Sequence, residues 1–455
     1  MAVPVSGVKM SNANTQPSSL ISCISVEQLF GHYNYRIPES SESSGAMSPL
    51  LILYGDNGAG KTTILWLIYN LLSPRINRGH RSAVAHTKFK RFEVQFADGT
   101  SVTALRSNRS LEGAFKIVIS VDGSTVLETA IPVDKSGNVP AGINAPHFKE
   151  VIQYLKDRGI AYYMLGEERE LQNSAVSTED DDQPIHRTDF NFQLLNSRPV
   201  DRLHEHKSID VAIERSVEWM RQQVFSGSKL GEANSNAIYA DIVKRIVDIG
   251  ANPQVGPTLT IEELSDSLAN LERRSSAFSE FGLASKIPVT ELQILLGTAS
   301  VDKHAILLNV LTPYVEGIVA RLDALQPVQD LLATFVSNIN GLYKDKEIFL
   351  DLKTGLTVKS SHGEPLSPSS LSSGERQLLS LLCNVLYARS QPSVFIIDEP
   401  ELSLNVKWQR QLVSSLLDCI KGSQVQFILA THSIELLTGH SNCVVKLNHR
   451  PKERS

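Results

Sequence analysis

The 455-residue sequence predicts an α/β fold, a mainly parallel sheet with helices on its faces, joined to an antiparallel β lobe and carrying a helical insertion. Two patterns predict it. The apolar runs PLLILYG, SVFIIDEP and VQFILATHS are separated by helical segments, the alternation that builds a parallel sheet buried on both faces. From about residue 88 to 134, FEVQF, SVTALR and KIVISVDGSTVLETAIPV instead alternate apolar and polar residues around ADGT and DG turns, as antiparallel strands do.

Along the chain, ISCISVEQLF and YNYRI read as strands before PLLILYG, which ends in a glycine-rich loop and the helix KTTILWLIYNLL. FKEVIQYLKDRG reads as a helix, AYYML as a strand, and the acidic STEDDDQP, Ser177 to Pro184, as a linker. The boundaries are 20–176 for an N-terminal lobe, 185–340 for the helical insertion and oligomerisation region, and 341–450 for a C-terminal lobe. Within the insertion, Ile242, Ile246 and Ile249 recur at helical spacing. Leu308, Leu311, Val315, Ile318, Leu322, Leu325, Gln329, Leu332, Val336 and Ile339 form a heptad-like seam, with kinks expected at Pro313 and Pro327. The seam fits either a helix pair within the domain or an oligomerising surface.

Composition narrows the function classes. With 44 Lys and Arg against 49 Asp and Glu, the net charge of −5 offers no general field for nucleic acid or anionic membrane. Cys23, Cys383, Cys419 and Cys443 are scattered without metal-ligand spacing, which points to a reducing compartment. A polar N-terminus and the lack of 18 consecutive apolar residues predict a cytoplasmic protein with no membrane partner.

GDNGAGKTT, Gly55 to Thr63, satisfies G-x-x-x-x-G-K-[ST] between a strand and a helix. Its glycines let backbone N–H groups curl around phosphates, so Asn57, Gly58, Ala59, Gly60, Lys61, Thr62 and Thr63 are candidate ATP contacts. Lys61 reaches the β- and γ-phosphates, and the Thr62 hydroxyl faces Mg²⁺. SVFIIDEPE places Asp398 at the end of a buried strand as a second Mg²⁺ ligand. Glu399 next to it is placed to orient or deprotonate water. FILATHS ends at His432, a candidate donor to the γ-phosphate or to that water. In LSSGERQLLSLL, Ser372 and Glu375 have capping-box spacing, and a helix start of this kind is also an anion site.

Together, GDNGAGKT, LSSGERQ, FIIDEPE, the ELSLN segment and the THS histidine resemble an ABC-type ATPase head, closest to the group of SMC/RecF-type repair ATPases and OLD-like phage-defence ATPases. The resemblance covers about residues 20–170 and 340–450. It implies ATP and Mg²⁺ as cofactors and a homo-oligomer, at least a dimer through the heads. Ser372, Ser373, Gly374 and Glu375 of one chain would then contact the ATP of the other. LSSGE departs from the transporter form LSGGQ, and Asn405 and Val406 stand where relatives often carry His-Pro. Glu168, Arg169 or Gln172 is the candidate Q-loop residue. Tyr33 or Tyr35 fits either adenine stacking or core packing.

Within that group the chain resembles the ATPase subunits of two-component anti-phage systems of the PARIS and, less closely, the Septu kind. It ends soon after THS, so the resemblance implies an ATPase sensor that controls a separate nuclease or toxin effector and answers a phage trigger. The alternative is a RecF/SMC-like DNA-maintenance ATPase; a transporter subunit fits least. Pro74 to Arg91, with six Lys and Arg and no acid, is either a solvated face or a surface for DNA or an acidic protein.

Overall fold

The computed structural model describes residues 20–38, 48–76, 78–106, 110–140, 146–166, 171–173, 209–225 and 260–447. The Ser177–Pro184 linker and the Ile242, Ile246, Ile249 pattern lie outside them. The chain divides into two compact units, one formed by Met1–Ser197, Gln391–Val413 and Ile420–Ser455, the other by Arg198–Ser390 and Ser414–Cys419.

In the first unit the described elements run β1 (Ile21–Leu29), β2 (Tyr33–Ile37), β3 (Leu50–Tyr54), α1 (Lys61–Leu72), α2 (His80–His86), β4 (Arg91–Phe96), β5 (Thr100–Leu105), β6 (Phe115–Val121), β7 (Ser124–Ile131), α3 (Phe148–Asp157), β8 (Ala161–Leu165) and β9 (Leu171–Asn173). An antiparallel sheet has the order β2-β1-β4-β5-β6-β7. Burial alternates along β4 as the FEVQF pattern requires, with Phe92, Val94 and Phe96 inside. At the β6–β7 turn Asp122 and Gly123 both have positive φ, 49° and 79°, which is the chemistry of a two-residue hairpin.

Later in the chain come the second unit's elements: α4 (209–225), α5 (Ile261–Glu280), α6 (Val289–Thr298), α7 (Val301–Leu342), β10 (Lys346–Asp351), β11 (Gly355–Ser360), β12 (Pro365–Leu366) and α8 (Ser373–Ala388). The chain then returns to the first unit with β13 (Ser393–Asp398), the start of α9 (Val406–Ile420), β14 (Val425–Thr431) and β15 (Val444–Lys446).

These last strands complete the parallel sheet, ordered β15-β3-β14-β13-β8-β9, in which only the β8–β9 pair is antiparallel. β8, β13 and β14 are buried at every residue, which explains their unbroken apolar runs. The exception is Gln426 on β14, whose amide accepts from the Ile21 N–H at 2.8 Å and donates to the Ile21 carbonyl at 3.0 Å. That reciprocal pair pins the parallel sheet to the antiparallel one while leaving no buried polar group of this side chain unsatisfied.

In the second unit α7 runs for 42 residues with Pro313 and Pro327 inside it, so neither proline divides the element. Its seam is a packing surface within the unit. Leu308, Val315, Leu322, Leu325, Leu332 and Ile339 are buried, α5 packs along it, and Arg274 pairs with Asp323 at 2.6 Å. Among the described residues α7 is the one helix whose length and apolar content would allow it to cross a bilayer. At its C-terminal end Asn340 exchanges two hydrogen bonds with the backbone of Ile348, which fixes where β10 begins.

Candidate nucleotide site

The register of the parallel sheet decides which side chains gather. Tyr54 of β3 lies opposite Thr431 of β14, and Ala430 opposite Asp398 of β13. The glycine-rich loop, the residues after β14 and those after β13 therefore emerge together at the carboxyl edge of three adjacent strands, the usual place for a ligand in an α/β sheet.

In the loop, Gly58 and Gly60 take φ of +84° and +86°. A Cβ on Gly60 would come within 2.8 Å of Leu29 Cδ2, so glycine is required there on both counts. Asn57 and Gly58 are exposed, Ala59 is buried, and Gly60, Thr62 and Thr63 are partly covered. Lys61 is 5% exposed, and its ammonium donates to the carbonyls of Gly55 at 2.8 Å and Asp56 at 3.2 Å. The N-terminus of α1 carries no side-chain cap and no acidic residue in its first turn. Its orphan N–H groups, its dipole and a buried ammonium all suit a polyphosphate.

Asp398, the last residue of β13, is 3% exposed. A buried carboxylate beside a phosphate cradle and the Thr62 hydroxyl make an all-oxygen donor set, which fits Mg²⁺. Glu399 has φ +49°, a left-handed conformation unusual for this residue, and its N–H donates to the Ala430 carbonyl at 2.9 Å. That turn delivers its carboxylate to Nδ1 of His432, to which it is hydrogen-bonded. Burial raises the Glu399 carboxyl, the charge of Glu401 raises it further, and His432 partly opposes both, leaving it at about 7. A group poised there can exchange a proton near neutral pH.

Glu401 is a site residue that sequence reasoning passed over. Its carboxylate is 4% exposed and meets Thr431, His432 and Ser433. The only sequence signal was a second acid two residues after Glu399. The ligand atoms of Glu399, Glu401 and His432 lie within 4.8 Å of one another, a spacing that could also hold a cation. Tyr35 was expected in adenine stacking or core packing; its hydroxyl donates to the Ala59 carbonyl in the glycine-rich loop at 3.1 Å. Tyr33 is 9% exposed, with its ring stacked against that of Tyr35. Gln172 is exposed on edge strand β9, while Glu168 and Arg169 lie outside the described residues.

Ser372, Ser373, Gly374 and Glu375 open α8 in the other unit. The capping box is complete: the Ser372 N–H donates to Glu375 Oε2 at 2.7 Å, and the Glu375 N–H to Ser372 Oγ at 3.3 Å. Ser372 and Ser373 remain exposed. Two contacts invisible in sequence brace this turn from behind: Lys346 pairs with Glu375 at 2.7 Å, and the Tyr343 hydroxyl donates to the Glu375 carbonyl at 2.7 Å. Burial pushes Glu375 up, but the Lys346 bond and the bonds from Ser372 overcome it and hold the carboxyl below its usual range.

The basic stretch from Pro74 to Arg91 does not form one open face. Arg81 is 3% exposed and donates to the carbonyls of Asn70 and Ser73, capping the C-terminus of α1. Lys88 pairs with Glu112, Arg91 with Glu93, and Lys90 donates to the Arg106 carbonyl.

Residues 50–438 match the family described as "AAA domain, putative AbiEii toxin, Type IV TA system", and the chain belongs to that family. No curated protein matches it. Among solved structures it is similar to an Smc head domain with an extended coiled coil bound to the C-terminal domain of ScpA, from Pyrococcus furiosus, at 12% identity and TM-score 0.39 over 94% of this chain and 92% of that one. It is also similar to an SmcHead bound to the C-winged helix domain of ScpA, at 11% identity and TM-score 0.37 over 94% of each chain. Its fold is that of an ABC-type ATPase, and the chain is a P-loop NTPase.

Proposed function

We propose that this member of the AAA-domain family binds ATP at the glycine-rich loop and hydrolyses it, with Glu399 as the general base and His432 as its partner. The observation that carries this reading is the Glu399–His432 pair, held at the strand edge shared with the phosphate loop. Asn57 to Thr63 hold the phosphates through backbone N–H groups, Lys61 and the hydroxyls. Glu399 takes a proton from the attacking water, and His432 keeps that carboxylate oriented. Thr62 and Asp398 would hold Mg²⁺, which would supply charge neutralisation on the phosphates.

The exposed Ser372–Ser373 turn supports a head-to-head dimer, in which Ser372 to Glu375 of one chain meet the nucleotide of the other. Residues 185–340, between lobes at 20–176 and 341–450, would serve in sensing or assembly. The output is then delivered to a separate nuclease or toxin in anti-phage defence, on a phage trigger and in the cytoplasm. The family description, with its toxin of a toxin–antitoxin system, supports a two-component arrangement. A RecF/SMC-like DNA-maintenance ATPase stays the alternative reading; within the 74–91 stretch Arg81, Lys88, Lys90 and Arg91 have partners in the fold, and Lys88 keeps an exposed side chain.

Co-expression of Lys61→Ala and Ser372→Arg chains tests the reading. Each homogeneous variant should be inactive, and random pairing should return about a quarter of wild-type ATPase, since about half the dimers are mixed and each holds one intact site of two. No return of activity, together with no ATP-dependent crosslink between cysteines placed at Gly58 and Ser373, would refute the dimer.

A further inference from the structure

The chain after Glu399 makes a tight reversal. The Leu402 N–H donates to the Glu399 carbonyl, the Leu404 N–H to the Glu401 carbonyl, and Ser403 takes φ +63°. This reversal carries the Glu401 carboxylate inward rather than to solvent. Burying a carboxylate costs several kcal/mol unless donors compensate it. Here the compensation comes from one place. Glu401 Oε1 accepts from the Thr431 hydroxyl, from the His432 N–H at 3.2 Å and from the Ser433 N–H at 3.1 Å. Those donors belong to Thr431, the last residue of β14, and the two residues that follow it. Thr431 is fully buried and its hydroxyl also accepts from the Ser433 N–H at 2.9 Å, while the Ser433 hydroxyl donates to Gln409 on α9. His432 stands in the middle of this clamped segment, its side chain half exposed, with Nδ1 against Glu399 and 3.6 Å from Glu401 Oε1.

We propose that Glu401 is a positioning residue that clamps the Thr431–Ser433 segment and thereby sets His432 against Glu399. It joins the loop after β13 to the loop after β14, so that the base and its partner move as one body. Without the clamp, the Thr431 hydroxyl and the His432 N–H lose their acceptor, the Ser433 N–H keeps only the Thr431 hydroxyl, and the exposed imidazole is left with its bond to Glu399. The inference rests on the ATPase reading, with Glu399 and His432 in the roles given above.

The test uses the full chain and compares kcat, KM and the Kd of a non-hydrolysed ATP analogue. Glu401→Ala should lower kcat about 30-fold or more with KM and Kd within about 3-fold, because it acts on the chemistry and not on the phosphate cradle. Glu401→Gln keeps an acceptor oxygen and should retain kcat within about 5-fold. In a His432→Ala background, Glu401→Ala should cost far less than in wild type, no more than about 5-fold further, since the positioning of His432 is gone and only the direct contact of Glu401 with Glu399 is left to lose. Multiplying losses in the double variant, a Gln variant as poor as Ala, or an Ala variant with near wild-type kcat would each overturn the clamp. If Glu401→Ala does not fold, Thr431→Val takes its place: loss of one donor should cost about 10-fold in kcat with KM kept, and unchanged kcat overturns the proposal. Failure of the underlying reading looks different: wild-type protein without ATPase, or ATPase that survives Glu399→Gln and His432→Ala.

Discussion

Glu375 and Glu399 are glutamates in motifs of the same ATPase type, and their surroundings drive them in opposite directions. Glu375 sits at the first turn of α8, where Lys346, two bonds to Ser372 and the helix N-terminus all favour the anion, and its carboxyl titrates below the usual range. Glu399 sits past the end of β13 in a left-handed conformation, partly buried next to a second carboxylate, and is raised to about 7. The first is a permanently charged brace whose donors stand on its own helix and on β10. The second is held near neutral pH by burial and the charge of Glu401, with His432 only partly opposing them. What separates a structural glutamate from a reactive one is therefore the balance of donors against burial and like charge.

The strongest way to break this comparison is to make the same change at both positions. Glu399→Gln removes the proton acceptor and should lower phosphate release about 10²–10³-fold while nucleotide binding persists. Glu375→Gln keeps the capping acceptor and should cost only about 3- to 10-fold, its loss lying in the Lys346 pair. Equal losses at the two sites would erase the distinction. A smaller effect is expected for Lys346→Met, which strands a half-covered carboxylate: thermal or urea unfolding should show a loss of about 1–2 kcal/mol, discounted for the solvent that reaches the pair.

His80 sharpens the comparison from a site with no catalytic partner. It is 6% exposed, hydrogen-bonded to Asn70 at 2.8 Å, and lowered to about 3 by burial first and then by the charges of Arg81, Arg75 and Arg78. Between about 3 and its unfolded value the unfolded chain binds the extra proton, so stability is fully present above the unfolded value and is lost as pH falls through the window. Wild type should lose about 1–2 kcal/mol more than His80→Gln between pH 7 and 5, measured by urea unfolding.

Much of this site is visible in local pattern. The glycine spacing of GDNGAGKTT, the buried run ending in Asp398-Glu399 and the Ser372–Glu375 spacing each name their residues, because phosphate loops, strand ends and caps are built from neighbours a few residues apart. Over the 74–91 stretch charge counting assigns every Arg and Lys to solvent, and Arg81 is buried instead. Arg81 shows why it fails: the C-terminal carbonyls of α1 need donors, and a guanidinium eight residues beyond Ser73 reaches them.

The sequence by itself determined the α/β class, the antiparallel lobe, the phosphate loop, the two candidate reactive residues Glu399 and His432 and the cap on α8. All of these rest on periodicity or on contacts within a few positions. Only the tertiary structure decided that Glu401 meets Thr431, His432 and Ser433 about 30 residues away, that Lys346 answers Glu375 across 29, and that α7 passes through both prolines with its seam packed on α5. The Glu401 contacts depend on the order and register of β14 and β13, and those of Lys346 and α7 on packing within the second unit. Register is settled by the joint packing of whole strands, and no local stretch of sequence carries that information.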